Sequence, residues 1–189
     1  MFTALLDANV LVPISLADTM LRAAEQELYR PLWSQIVIDE AIHALRQARP
    51  DISGARVTAR FAAMREAFPA AMVTEFECLI NDSPLPDPND RHVLAAARLG
   101  GADLIVTRNL KDFPADTLSL FGLAAVGADS FLRDLLDLFP VKMLEVVRNQ
   151  VAATQQPARK LNDVLISLGL AGAPDFVADT RDLLEHEQG

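Results

Sequence analysis

Residues 87–114 read Asp87-Pro88-Asn89-Asp90-Arg91-His92-Val93-Leu94-Ala95-Ala96-Ala97-Arg98-Leu99-Gly100-Gly101-Ala102-Asp103-Leu104-Ile105-Val106-Thr107-Arg108-Asn109-Leu110-Lys111-Asp112-Phe113-Pro114. Pro88 and Asn89 suit a helix start, Val93, Leu94 and Ala97 continue the helix, and Gly100-Gly101 stops it. Leu104 to Thr107 is a compact β-branched run of the kind buried on both faces of a sheet. A polar loop then carries Thr107, Asn109 and Asp112 away from the strand end.

The same alternation extends towards the N-terminus. Residues 2–6, Phe-Thr-Ala-Leu-Leu, form a short apolar run ending at Asp7, the pattern of a buried strand. Residues 15–29 turn helical, Pro31-Leu32-Trp33 is briefly extended, and Ser34 precedes Val37, Ile38, Ala41, Ile42 and Leu45 at helical spacing. Ser34 is therefore an N-cap, with Asp39 and Glu40 early in the helix it opens. Residues 54–68 read as a further helix and residues 71–74 as a strand. Short apolar strands alternating with helices predict an α/β sandwich around a mostly parallel sheet.

Beyond about Gly127 only helices are predicted, over residues 129–139, 140–153, 159–168 and 174–185. This gives two parts: an α/β domain over residues 1–126 and a helical C-terminal extension over 127–189.

The 189 residues are 51% apolar and 23% charged, an ordinary globular composition. Cys78 is the single cysteine, which excludes an internal disulfide framework and any Cys-rich zinc module. No apolar run reaches the ~20 residues of a membrane span. The first residues lack a basic, cleavable leader pattern, so the expectation is a cytoplasmic protein with no membrane attachment.

The formal charge of −9 leaves no overall basic footprint for duplex binding. Basic residues are nonetheless clustered: Arg46, Arg49, Arg56, Arg60 and Arg65 in one stretch, Arg108 and Lys111 in another. The first group reads as a solvated helical face. The second reads equally as phosphate-positioning residues or as a solvated loop charge. An acidic protein can still handle nucleic acid where its carboxylates hold divalent cations that reverse the local sign.

The carboxylates fall at element ends. Asp7 follows the first strand, Glu40 and Asp90 lie near helix starts, and Asp112 follows the Leu104 strand. If those two strands are neighbours, Asp7 and the 107–112 loop share the edge where open α/β sheets bind ligands. Several carboxylates together are costly without a cation, and hard oxygen ligands select Mg²⁺ or Mn²⁺. Such ions serve in-line attack on phosphodiesters by an activated water.

Three segments in this order resemble the PIN-domain ribonucleases: Leu5-Leu6-Asp7-Ala8-Asn9-Val10-Leu11, then Ser34 to Glu40, then Asp87 to Pro114. The resemblance covers roughly residues 2–126 and implies a PIN-like three-layer sandwich. It also implies Asp7, Glu40, Asp90 and Asp112 as catalytic metal ligands for Mg²⁺, with Mn²⁺ as a substitute. Asp87 competes with Asp90, and Asn109 with Asp112. Thr107 and Asn109 are expected to hydrogen-bond the carboxylates or a phosphate, and Arg108 and Lys111 to lie near the RNA.

Many bacterial PIN domains of this kind are VapC-type toxins. The implied function is thus an endoribonuclease that leaves 5′-phosphate and 3′-hydroxyl ends and pairs with a small antitoxin. A homodimer stays open, as do an RNA-processing nuclease without antitoxin and a catalytically silent binding module. A phosphatase of the haloacid dehalogenase type needs Asp-x-Asp, whereas this chain has Asn9 at the second position. His92 reads as a helix residue packed on its neighbours.

Overall fold

The computed structural model describes residues 1–153 and 160–186. Five strands, β1 (Thr3–Leu6), β2 (Arg30–Ser34), β3 (Met72–Val73), β4 (Leu104–Val106) and β5 (Ala124–Val126), form one sheet in the order β3-β2-β1-β4-β5. Every pairing is parallel, so the mostly parallel sheet expected from the sequence is wholly so. The helices are α1 (Ala8–Leu11), α2 (Ile14–Glu25), α3 (Gln35–Ala48), α4 (Gly54–Ala67), α5 (Arg91–Gly100) and α6 (Ala115–Ser119). They are followed by α7 (Ala128–Leu138), α8 (Pro140–Ala153), α9 (Leu161–Leu170) and α10 (Pro174–His186). The start expected for α9 at Arg159 lies outside the described residues.

The chain divides into two compact units, residues 1–12 with 29–126, and residues 13–28 with 127–189. The chain passes from the first unit to the second between Val126 and Gly127. Helix α2 belongs to the second unit.

In the first unit the strands step outwards from β1 to β3, and the chain then returns past β1 to add β4 and β5. Parallel crossovers are right-handed, so reversing the direction of winding puts the later helices on the opposite face of the sheet. All four residues of β1 are buried, as a central strand covered on both faces requires. Tyr29, Trp33, Phe61 and Phe76 supply the largest buried rings of this unit, and Trp33 meets Phe68 edge-on with ring centroids 5.9 Å apart.

Local chemistry sets the element ends. Ser34 caps α3 by accepting the Val37 N–H at 3.2 Å, and Ser53 caps α4 by accepting that of Arg56 at 3.4 Å. Helix α5 comes so close to the sheet that a Cβ on Gly100 would stand 2.7 Å from Leu32 Cδ1 and 2.9 Å from Val73 Cγ2. Gly101 then ends the helix in the left-handed region, at φ +64°.

The second unit buries Phe131, Leu132, Leu135, Met143, Val147, Leu168 and Phe176. Helix α7 packs on α8 and α10, and α2 packs on α8 and α9. Thr19, fully buried, donates to Gln150 Oε1 at 2.7 Å, and Gln150 Nε2 donates to the Ser15 carbonyl at 2.9 Å. Asp129 accepts the Phe176 N–H at 2.9 Å, so a carboxylate of α7 caps α10. No helix among the described residues is long and apolar enough to cross a membrane.

Candidate active site

In a doubly wound sheet the ligand crevice opens at the carboxyl ends of the two strands where the winding reverses. Here those strands are β1 and β4, and they deliver Asp7 and Thr107 side by side. The ladder runs on past both strands: the Asp7 N–H donates to the Val106 carbonyl and the Thr107 N–H to the Val126 carbonyl, each at 3.0 Å.

Asp7 is 5% exposed, and its carboxylate accepts three hydrogen bonds. Oδ1 accepts the Ala8 N–H at 2.6 Å, while Oδ2 accepts the Asn9 amide at 2.6 Å and the Thr107 hydroxyl at 2.7 Å. Asn9 also donates to Thr107 Oγ1 at 3.0 Å and accepts the Arg108 N–H at 2.9 Å. The Asn109 N–H donates to Thr107 Oγ1 at 3.1 Å, and its side-chain amide donates to Asp112. Asp7, Asn9, Thr107, Asn109 and Asp112 thus form one hydrogen-bonded network joining the ends of β1 and β4.

Burial raises the pKa of Asp7, a tendency opposed by the bonds from Thr107 and Ala8 and reinforced by the nearby Glu40 carboxylate. Asp90, half-buried at the start of α5, is pushed up to about 6 by burial and then by the charges of Asp7, Asp87 and Asp112. His92 pulls in the opposite direction on both.

Glu40 projects from α3 and accepts a hydrogen bond from His92 Nε2 across 3.0 Å. Asp87 caps the turn before α5 by accepting the Asn89 N–H at 2.9 Å, so part of its carboxylate already serves the backbone. Arg108 and Lys111 are exposed on the loop after β4. In the other basic cluster Arg46 donates to Thr58, Arg49 pairs with Asp51 and Arg60 donates to the Leu11 carbonyl.

Among the described residues no three Asp, Glu, His or Cys side chains converge into a ready-built metal cage. The donor set nevertheless suits a hard divalent ion. It consists of carboxylates within electrostatic reach of one another, and burial together with the charges of Asp7, Asp87 and Asp112 pushes the pKa of Asp90 up to about 6. Mg²⁺ keeps several of its waters, so carboxylates spaced too widely for direct ligation can still hold it.

Two residues do more than their sequence context foretells. Asn9 stands where an Asp-x-Asp pair would have its second acid, yet it ties Asp7 to the β4 loop; the signal is an amide two residues after a strand-end carboxylate. His92 does more than pack on its neighbours, and no local pattern places its partner 52 positions away on α3.

A reversed parallel sheet with carboxylates gathered at its switch point is the architecture of the PIN class of α/β domains. The chain belongs to the PIN domain family, which matches residues 3–111, and residues 128–182 match the family described as VapC50 C-terminal domain. It is also similar to a Mycobacterium tuberculosis protein named "Putative ribonuclease VapC50", with 42% identity over 94 residues. That match covers 50% of this chain and 55% of the mycobacterial protein, so the chain matches about half the length of its curated relative.

Proposed function

We propose that the chain is a divalent-metal-dependent endoribonuclease, the toxin of a toxin–antitoxin pair acting in the cytoplasm. The observation that carries this reading is Asp7. It is a buried carboxylate at the sheet's switch point, locked by three hydrogen bonds and within electrostatic reach of Glu40 and Asp90. Membership of the PIN domain family and the ribonuclease name of the relative support it.

Asp7, Glu40, Asp90 and Asp112 are the residues that would hold Mg²⁺ or Mn²⁺, which supplies an activated water and neutralises charge developing on a phosphodiester. The chain's own part is orientation. Thr107 and Asn9 hold the Asp7 carboxylate through Oδ2, which leaves Oδ1 with acceptor capacity beyond its bond from the Ala8 N–H. Asn109 steadies Asp112 in the same way. Arg108 and Lys111 lie beside the crevice and meet RNA phosphates, which positions the strand without reading its sequence. The cluster's negative charge also suits a basic side chain of an antitoxin, which would quench it as a cation does.

The test is cleavage of a mixed RNA pool by the purified chain with Mg²⁺ or Mn²⁺, beside EDTA and Asp7→Asn controls. Cleavage lost in both controls is expected. Cleavage that persists in EDTA, or in Asp7→Asn, overturns the reading. A complex with the antitoxin in which no basic side chain approaches Asp7, Glu40 and Asp90 overturns the quenching part.

A further inference from the structure

We propose that His92 is a positioning residue that holds the Glu40 carboxylate in place for the divalent cation, an inference that rests on the metal-dependent reading above. Glu40 is a long side chain on an exposed stretch of α3, with 45% of its side chain in solvent. Left alone, it would spread over many rotamers and present its carboxylate to the crevice only part of the time. His92 has the opposite character. Its side chain is 9% exposed and sits on α5, two residues beyond Asp90.

The 3.0 Å contact from His92 Nε2 to Glu40 Oε1 assigns the ring hydrogen, because a carboxylate can only accept. The other ring nitrogen, Nδ1, is buried and has no hydrogen-bond partner among the described residues. Leucine or methionine could fill this space without burying an orphan nitrogen, which costs free energy. The imidazole is therefore explained by the single bond it makes, and that bond is to Glu40. It joins α3 to α5 and anchors Glu40 within electrostatic reach of Asp7. A carboxylate held through one oxygen keeps a second for another partner.

The experiment is Mn²⁺ titration calorimetry on the chain as wild type, His92→Ala and His92→Gln. Long-range ¹⁵N spectra of the His92 ring in EDTA, with and without Glu40→Gln, accompany it. We expect His92→Ala to weaken Mn²⁺ binding by about 10–100-fold. His92→Gln, whose amide can still donate, should recover most of that loss. The wild-type ring should carry its hydrogen on Nε2, and its signal should move in Glu40→Gln. Wild-type affinity in His92→Ala, equal weakening in both variants, or a ring with no hydrogen on Nε2 overturns the proposal. If His92→Ala does not fold, the glutamine variant and the ring spectra decide. A wild type that takes up no Mn²⁺ overturns the metal-dependent reading itself, a result distinct from one in which only the His92 variants match wild type.

Discussion

Replacing Asp90 with Asn should make the metal-free protein more stable, although it removes a residue of the candidate active site. The carboxyl is held at about 6 by burial and by Asp7, Asp87 and Asp112, against an ordinary value of 3.8. Two units correspond to about 3 kcal/mol if fully expressed. Much of Asp90 remains in solvent, and screening reduces this to about 1 kcal/mol. Because the folded-state pKa is raised, the favourable contribution is complete below the unfolded value. It is lost as pH rises through about 6. At neutral pH the folded protein therefore carries the cost of an ionised Asp90, which a neutral amide relieves. Nothing offsets this, since the Asp90 side chain makes no capping bond to α5.

The assay is thermal melting in EDTA. A gain of about 2–4 °C over wild type is expected near neutral pH for a chain of this size, falling to roughly half near pH 5. Millimolar Mn²⁺ should reverse the ranking, because a cation that binds only the folded state stabilises it by mass action and the variant binds less. A variant no more stable than wild type in EDTA, or a gain that is the same at both pH values, would refute the reasoning.

Four other outcomes are expected. Thr107→Val leaves the buried Asp7 carboxylate and the Asn9 amide each short of a partner, at about 2–3 kcal/mol; the melting temperature should drop by about 5–10 °C. Gly101→Val forces a β-branched residue into the left-handed region with no side-chain clash to confuse the result. Chemical denaturation should show a loss of about 1–2 kcal/mol, with Gly101→Asn better tolerated. Gln150→Leu removes the amide that links α8 to Thr19 and Ser15 on α2, and should cost about 1–2 kcal/mol in the same assay. A fragment ending at residue 126 strips α2 of α8 and α9, so it should be recovered mainly as aggregate, and a well-dispersed NMR spectrum from it would contradict the two-unit division.

The sequence made the first unit legible where its signals are local. Ser34, the Gly100-Gly101 stop and the Leu104 run each announce an element within a few residues, and the structure has α3, α5 and β4 there. β5 was not foreseen: Ala124-Ala125-Val126 is short and lacks the β-branched density that identified β4, and pairing with β4 makes it a strand. Helix α2 was readable as a helix but not as part of the second unit, because periodicity shows that a face is apolar without showing what covers it. The carboxylates at the switch point could be gathered on paper once β1 and β4 were taken as neighbours. The Glu40–His92 bond could not, since it depends on how α3 and α5 approach in space.

The placement of α2 has a consequence for biosynthesis. Its polar ties reach Gln150 and Ser167, separations of 131 and 152 positions along the chain. A ribosome delivers α2 well before its partners α8 and α9. Over that interval the growing polypeptide carries an amphipathic helix whose eventual neighbours do not yet exist, the situation in which nascent chains recruit chaperones or misassemble. Contacts of such long range also close slowly, so this part of the fold forms only after α8 and α9 have been made.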